Sequence, residues 1–123
     1  MQHPYGDLIG FHFTAQGQGT STMELTVRDD LMNPHGVLHG AALYSLADTG
    51  MGAALYGLLE KGESCATINC SISYFRGVTA GTVTCNTKVT NKGRSVATLD
   101  SEIWNDGKLA ATAHGQFSIF QRR

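Results

Sequence analysis

Cysteine is scarce in this chain and cannot be paired off: Cys65, Cys70 and Cys85 are odd in number and form no Cys-x-x-Cys unit. That argues against a disulfide framework and leaves them as reduced core residues, Cys70 and Cys85 within alternating strand patterns. Charge is equally thin, with 15% charged residues and a net charge of -1, so neither a polyanion-binding surface nor an acidic tail is present and nucleic acid is not an expected partner. Met1 to Asp7 carries no basic segment followed by an apolar run, and no stretch is apolar enough to span a bilayer, so a soluble, cytoplasmic protein without membrane contact is expected. There is no internal repeat and no low-complexity segment. A length of 123 residues suits one core rather than two, hence a single domain over residues 1–123.

What the chain does have is one long helical pattern, entered through a turn. Asn33-Pro34-His35-Gly36-Val37-Leu38-His39-Gly40 runs directly into it, and Pro34 biases Asn33 to an extended conformation. From about residue 39 to 59, Leu43, Leu46, Ala47, Gly50, Met51, Ala54 and Leu58 recur on one side of a 3.6-residue period. Asp48 falls at the margin of that stripe, with Tyr44 one turn before it and Gly52 one turn after. An acid half in apolar company must be hydrogen-bonded, shifted in pKa or exposed. Gly40 lies in the first turn, where backbone N–H groups lack intrahelical acceptors and the dipole favours negative charge, so it can hold an oxyanion.

The rest reads as strands. Leu8 to Thr14 and Thr20 to Val27, joined by Gly17-Gln18-Gly19, suggest a first hairpin. After Lys61-Gly62-Glu63 come Ser64 to Phe75, with Ile68, Cys70, Ile72 and Tyr74 on one face, and Thr82 to Thr90, with Val83, Cys85 and Val89 on one face. Long strands from Arg94 to Trp104 and Leu109 to Phe120 flank the hairpin signal Asp106-Gly107. One helix and one mostly antiparallel sheet give an α+β fold, with a curved sheet wrapped round a central helix. Gly50, Gly52 and Gly57 each cost about 1 kcal/mol relative to Ala inside a helix. Close packing on the sheet explains Gly50; room for a narrow ligand channel or a partner helix explains Gly52.

Asn33, then His39-Gly40, then Asp48 on the helix resembles the signature of the hot-dog-fold acyl-CoA thioesterases, in particular the phenylacetate-degradation type. The resemblance extends over nearly the whole chain. Thr67 to Tyr74 is similar to the family's strand after the helix, and Lys92-Gly93-Arg94-Ser95 to its turn before the long strands. One departure is Gly40-Ala41, where the family usually has Gly-Gly.

The resemblance implies hydrolysis of an acyl-CoA thioester, the acyl group aromatic or medium-chain, with Asp48 as general base or nucleophile. It implies that Asn33 orients the attacking water or the thioester, beyond its turn-forming role before proline. Thr67 matches a hydroxyl that assists the acid, or is an ordinary strand threonine; His39 is a catalytic group or a hydrogen-bonding support for the turn. Lys92 and Arg94, flanking Gly93 and followed by Ser95, are candidates to hold the nucleotide phosphates, with Arg76 and Arg122-Arg123 as rivals. No Rossmann or Walker phosphate loop occurs, and no cofactor is expected. Nor is a metal, since Pro34 and Gly36 keep His35 off any helical face shared with His39.

Gly40 and Asp48, eight residues apart on one helix, are separated by about 12 Å. If both act on one carbonyl, they come from different chains, so the minimal active unit is a homodimer with shared sites, as the resemblance also implies, further assembled as a tetramer. The alternatives are a hot-dog dehydratase, which would need a paired Asp and His that is not found, and a non-catalytic acyl-thioester binding module.

Overall fold

The computed structural model describes residues 3–122; Arg123, named among the rival cations, lies outside them. A short helix α1 (Pro4–Ile9) precedes strands β1 (Phe11–Gln16) and β2 (Thr20–Thr26). A 3-10 turn over Asp29–Leu31 then leads to the long helix α2 (Gly40–Tyr56). Strands β3 (Glu63–Tyr74), β4 (Thr82–Lys92), β5 (Val96–Asn105) and β6 (Lys108–Gln121) complete the chain. They form one six-stranded sheet in the order β1-β2-β4-β5-β6-β3, every neighbouring pair antiparallel. This is the hot-dog arrangement expected from the sequence. No described helix is long and apolar enough to cross a membrane.

The apolar stripe of α2 is the core. Leu43, Leu46, Ala47, Met51, Ala54 and Leu55 are buried, and the strands meet them with Met23, Leu25, Val83, Leu99 and Ile103. Each such large side chain contributes about 1.5–3 kcal/mol on burial. β2, β4 and β5 alternate buried and exposed positions, as a sheet with one covered face must. Leu58 falls just outside the helix, which ends at Tyr56 with Gly57 as its C-cap, a position where a Cβ would clash with the Gly17 carbonyl. Leu58 instead covers Gly19 in the β1–β2 turn.

The chain departs from the expected pattern at its start. Residues 8–14 are not one strand: Pro4 at the helix start, the His3 imidazole accepting from the Gly6 amide at 2.8 Å and a left-handed Gly10 (φ 96°) make α1 first. Of the cysteines, only Cys85 is fully buried; Cys65 and Cys70 are half-buried on β3. The Asp106-Gly107 hairpin is as expected, both residues at positive φ (53° and 71°), the signature of a type I′ turn.

Candidate active site

The turn before α2 is built by Asn33. Its side-chain carbonyl accepts from the backbone N–H of His35 at 2.9 Å and of Val37 at 3.3 Å, while its own N–H donates to the Val37 carbonyl at 2.8 Å. Gly36 closes the turn at φ 80°. With Oδ1 spent on the backbone, what Asn33 can offer a ligand is its Nδ2 amide. The chain is then pinned by Leu38 N–H to the Val78 carbonyl at 2.7 Å and His39 N–H to the Leu31 carbonyl at 2.9 Å.

His39 is the N-cap of α2: its Nδ1 accepts from the Ala41 N–H at 2.9 Å, which places any ring proton of the neutral form on Nε2. The Ala42 N–H donates to the His39 carbonyl at 2.9 Å. Gly40 N–H, in contrast, has no acceptor among the described residues. One amide at the positive end of a 17-residue helix is thus left aimed outward, the arrangement that stabilises a developing oxyanion. Gly40, Asn33, Tyr74 and Arg76 line a cleft of about 370 Å³ with apolar walls from Val37, Leu43 and Phe75. The His39 ring lies elsewhere, in a smaller hollow beside Tyr5 and Asp30. That favours its supporting role over contact with a substrate.

Asp48 sits two turns further along α2, half-buried. Thr67 Oγ1 donates to its Oδ1 at 2.7 Å, which ties the carboxylate to β3. Oδ2 has no partner among the described residues and is free to take a proton or attack a carbon. The carboxylate faces a second hollow of about 570 Å³, lined by Phe13, Gly52, Ala53, Tyr56, Thr67 and Phe117. Nearby on β3, the Cys70 thiol is pushed up in pKa by burial and then by the Asp48 charge; Tyr44 is likewise raised, chiefly by burial. A thiol held protonated is a poor nucleophile. Cys85, pushed up to about 11 by burial, is poorer still.

Apart from His39, the predicted residues fall into three places. Asn33 and Gly40 share one cleft, Asp48 and Thr67 another, and Lys92-Gly93-Arg94-Ser95 forms the β4–β5 turn, which lines neither. Gly93 is required in that turn, since its N–H donates to the Val96 carbonyl at 2.8 Å and a Cβ would stand 2.8 Å from the same oxygen. Register places the turn at the Thr67 end of the sheet, because Val96 pairs with Ser118 and Ser118 with Ala66. Arg76 lies at the Gly40 end. Neither Lys92, Arg94 nor Arg76 makes an ion pair among the described residues. Tyr74, whose phenol donates to the Gly40 carbonyl at 2.8 Å, was foreseen only as a face residue of its strand. Its reach to α2 depends on where the end of β3 comes to rest, which periodicity does not carry.

One long helix clasped by an antiparallel sheet, with a free amide at the helix start and a half-exposed acid at its middle, defines the class. The chain belongs to the thioesterase superfamily, whose sequence pattern matches residues 35–111, and is a thioester hydrolase. It is 30% identical over 98 residues to the acyl-coenzyme A thioesterase PaaI of Escherichia coli, covering 79% of this chain and 68% of that protein. The structure of the E. coli PaaI protein from the phenylacetic acid degradation operon superposes with a TM-score of 0.91 at 26% identity, over 98% of this chain and 87% of that one. A conserved protein of Pseudomonas aeruginosa superposes with a TM-score of 0.93 at 32% identity, over 98% and 96% of the two chains.

Proposed function

We propose that the protein hydrolyses acyl-CoA thioesters, taking an aromatic or medium-chain acyl group into the hollow beside Asp48. The observation that carries this is the pair of unspent groups on α2: the Gly40 amide and the second carboxylate oxygen of Asp48. The thioester carbonyl oxygen accepts from Gly40 N–H, and the carbon is attacked by a water that Asp48 deprotonates, or by Asp48 itself with water cleaving the resulting anhydride. In either route the C–S bond breaks and the thiol leaves with a proton. Asn33 Nδ2 orients the water or the thioester, Thr67 fixes the carboxylate, and His39 holds the turn. Phe13, Tyr56 and Phe117 supply flat apolar walls, and Gly52 and Ala53 a shallow floor, which suits a ring or a short chain.

Gly40 and Asp48 are about 12 Å apart along the helix. A carbonyl needs both within about 3 Å, so each site combines Gly40 of one protomer with Asp48 of another in a two-fold homodimer, with a tetramer as a further pairing. β3 supports this: it is a 12-residue strand with a free outer edge, carrying exposed Ile68 and Tyr74, which a lone chain would leave open to pairing. The Lys92-Gly93-Arg94-Ser95 turn holds the CoA phosphates.

The test is Asp48→Asn, which keeps shape and removes the base. Thiol release from acyl-CoA should fall by at least about a hundredfold in kcat with the fold intact. Wild-type turnover in that variant would sink the assignment, and ligand affinity without thiol release in the wild type would make the protein a binding module.

A further inference from the structure

The peptide group between Gly40 and Ala41 is gripped at both ends. Its N–H, that of Ala41, donates to His39 Nδ1 at 2.9 Å, and its carbonyl, that of Gly40, accepts from the Tyr74 phenol at 2.8 Å. The first grip is an N-cap made within the turn; the second comes from the far end of β3, 34 residues away in sequence. The two together fix the Gly40 backbone, and with it the direction of the free Gly40 N–H on the other side of the same Cα. Sterics tighten the arrangement, because a Cβ at residue 40 would stand 3.0 Å from both Cζ and Oη of Tyr74. Only a residue without a side chain lets the phenol approach this carbonyl undisturbed.

We infer that Tyr74 is a positioning residue for thioester hydrolysis, aiming the Gly40 amide at the carbonyl oxygen without touching the reacting atoms. The assignment rests on the shared Gly40–Asp48 site proposed above. An amide that stabilises an oxyanion acts through preorganisation, and a small loss of aim is felt in the rate rather than in ground-state binding. The phenol is suited to a permanent donor role, since burial and the neighbouring Cys70 raise its pKa above the ordinary tyrosine value. Its ring also lines the cleft that contains Gly40 and Asn33.

Tyr74→Phe removes the hydroxyl and keeps the ring. In that variant kcat should fall about tenfold with KM within about twofold of wild type, the size expected when a donor is loosened rather than deleted. The limbs of the pH–rate profile should stay where they are, because the phenol carries no proton in the reaction, and melting temperature and dimer content should be unchanged. A second measurement does not depend on turnover: exchange of the Ala41 amide hydrogen should accelerate once the phenol no longer braces the carbonyl of its peptide beside the helical bond from Tyr44 N–H. An unchanged kcat overturns the inference, as does an unchanged Ala41 exchange rate. A lost alkaline limb would make Tyr74 a proton donor, and a loss of rate that tracks a loss of dimer would make it a structural residue; either result also overturns it. Asp48→Asn measured in parallel separates the two levels. If Asp48→Asn is inactive while Tyr74→Phe is fully active, only the role of Tyr74 falls. If Asp48→Asn is itself active, the shared site falls.

Discussion

Two glycines one half-turn apart in α2 should respond to the same substitution with opposite signs. An alanine in place of a helical glycine gains up to about 1 kcal/mol of intrinsic propensity. At Gly50 that gain meets a wall: the new methyl would lie 2.9 Å from Thr87 Oγ1, 3.4 Å from Ser21 Oγ and 3.5 Å from Met23 Sδ. None of these can step aside cheaply. Ser21 Oγ donates to the Gly50 carbonyl at 2.7 Å, and Thr87 Oγ1 shares a 2.7 Å hydrogen bond with Ser101 Oγ, all of them buried. Overpacking of about 1–3 kcal/mol and strain on a buried hydrogen bond outweigh the propensity, for a net loss of about 1–2 kcal/mol. At Gly52 the nearest atom is Phe117 Cε2 at 3.7 Å, ordinary contact, so the gain of about 1 kcal/mol survives. For a chain of 123 residues, an unfolding entropy of about 0.26 kcal/mol/K makes each kcal/mol about 4 °C in Tm. Thermal melts at one protein concentration should therefore place Gly52→Ala about 8–12 °C above Gly50→Ala, with wild type between them. A Gly50→Ala melt at or above that of wild type would refute the packing explanation. A Gly52→Ala melt that falls, and falls further on dilution, would show that a partner helix rather than an acyl group needs the space.

Larger residues at position 52 should act on specificity: Gly52→Val is expected to raise KM for aromatic acyl-CoAs several-fold while sparing acetyl-CoA, since the side chain enters the hollow beside Asp48. Cys70→Ala and Cys85→Ser should both retain turnover in the folded fraction, acting through stability alone; complete loss of thiol release in a folded variant would reopen nucleophilic cysteine. Reversing the charge of both Lys92 and Arg94 should raise KM for acyl-CoA and flatten its salt dependence while leaving a short pantetheine thioester unaffected; an unchanged KM would move the phosphate site to Arg76 or Arg122. Mixing Asp48→Asn with Gly40→Pro, whose Cβ would meet the half-exposed Tyr74, should restore about a quarter of wild-type activity, because half the dimers are mixed and each has one intact site. Hybrids verified by mass spectrometry yet inactive would defeat the shared site.

The helix, the five longer strands and the Asp106-Gly107 hairpin were legible because each is a repeat written in consecutive residues: a 3.6-residue stripe, a two-residue alternation, a turn dipeptide. The same holds for the Gly40 donor, which is a consequence of any helix start. The Asp48–Thr67 bond was legible only through family likeness, for nothing in the period of β3 says that its fifth residue lies beside the third turn of α2. α1 was missed because six residues carry too little pattern to compete with the apolar segment they overlap, and its stop is a single glycine. Tyr74 was missed for a more general reason. Its place in the strand pattern groups it with Ile68, Cys70 and Ile72 on one face, but its hydroxyl meets the Gly40 carbonyl at the strand end, and such a meeting belongs to tertiary geometry alone.

A helix is stiff on the scale of its own length, and this has a chemical consequence. Its N-terminus is a natural place to stabilise negative charge, and a position two turns in is a natural place to half-bury an acid against a sheet edge. The rise of about 1.5 Å per residue forbids the two from meeting on one small carbonyl. A fold with several helices can bring a second one round; in a fold with one central helix, the proposal that Gly40 and Asp48 act on one carbonyl calls for a second copy of the chain. In the two-fold dimer proposed above, symmetry would yield two sites at once, each with the amide of one chain facing the acid of the other. On this view the open edge of β3 is more than an unpaired strand. It carries Thr67, which donates to Asp48, and Tyr74, which donates to the Gly40 carbonyl, so in the proposed dimer the strand open to pairing would also brace both groups assigned to the chemistry.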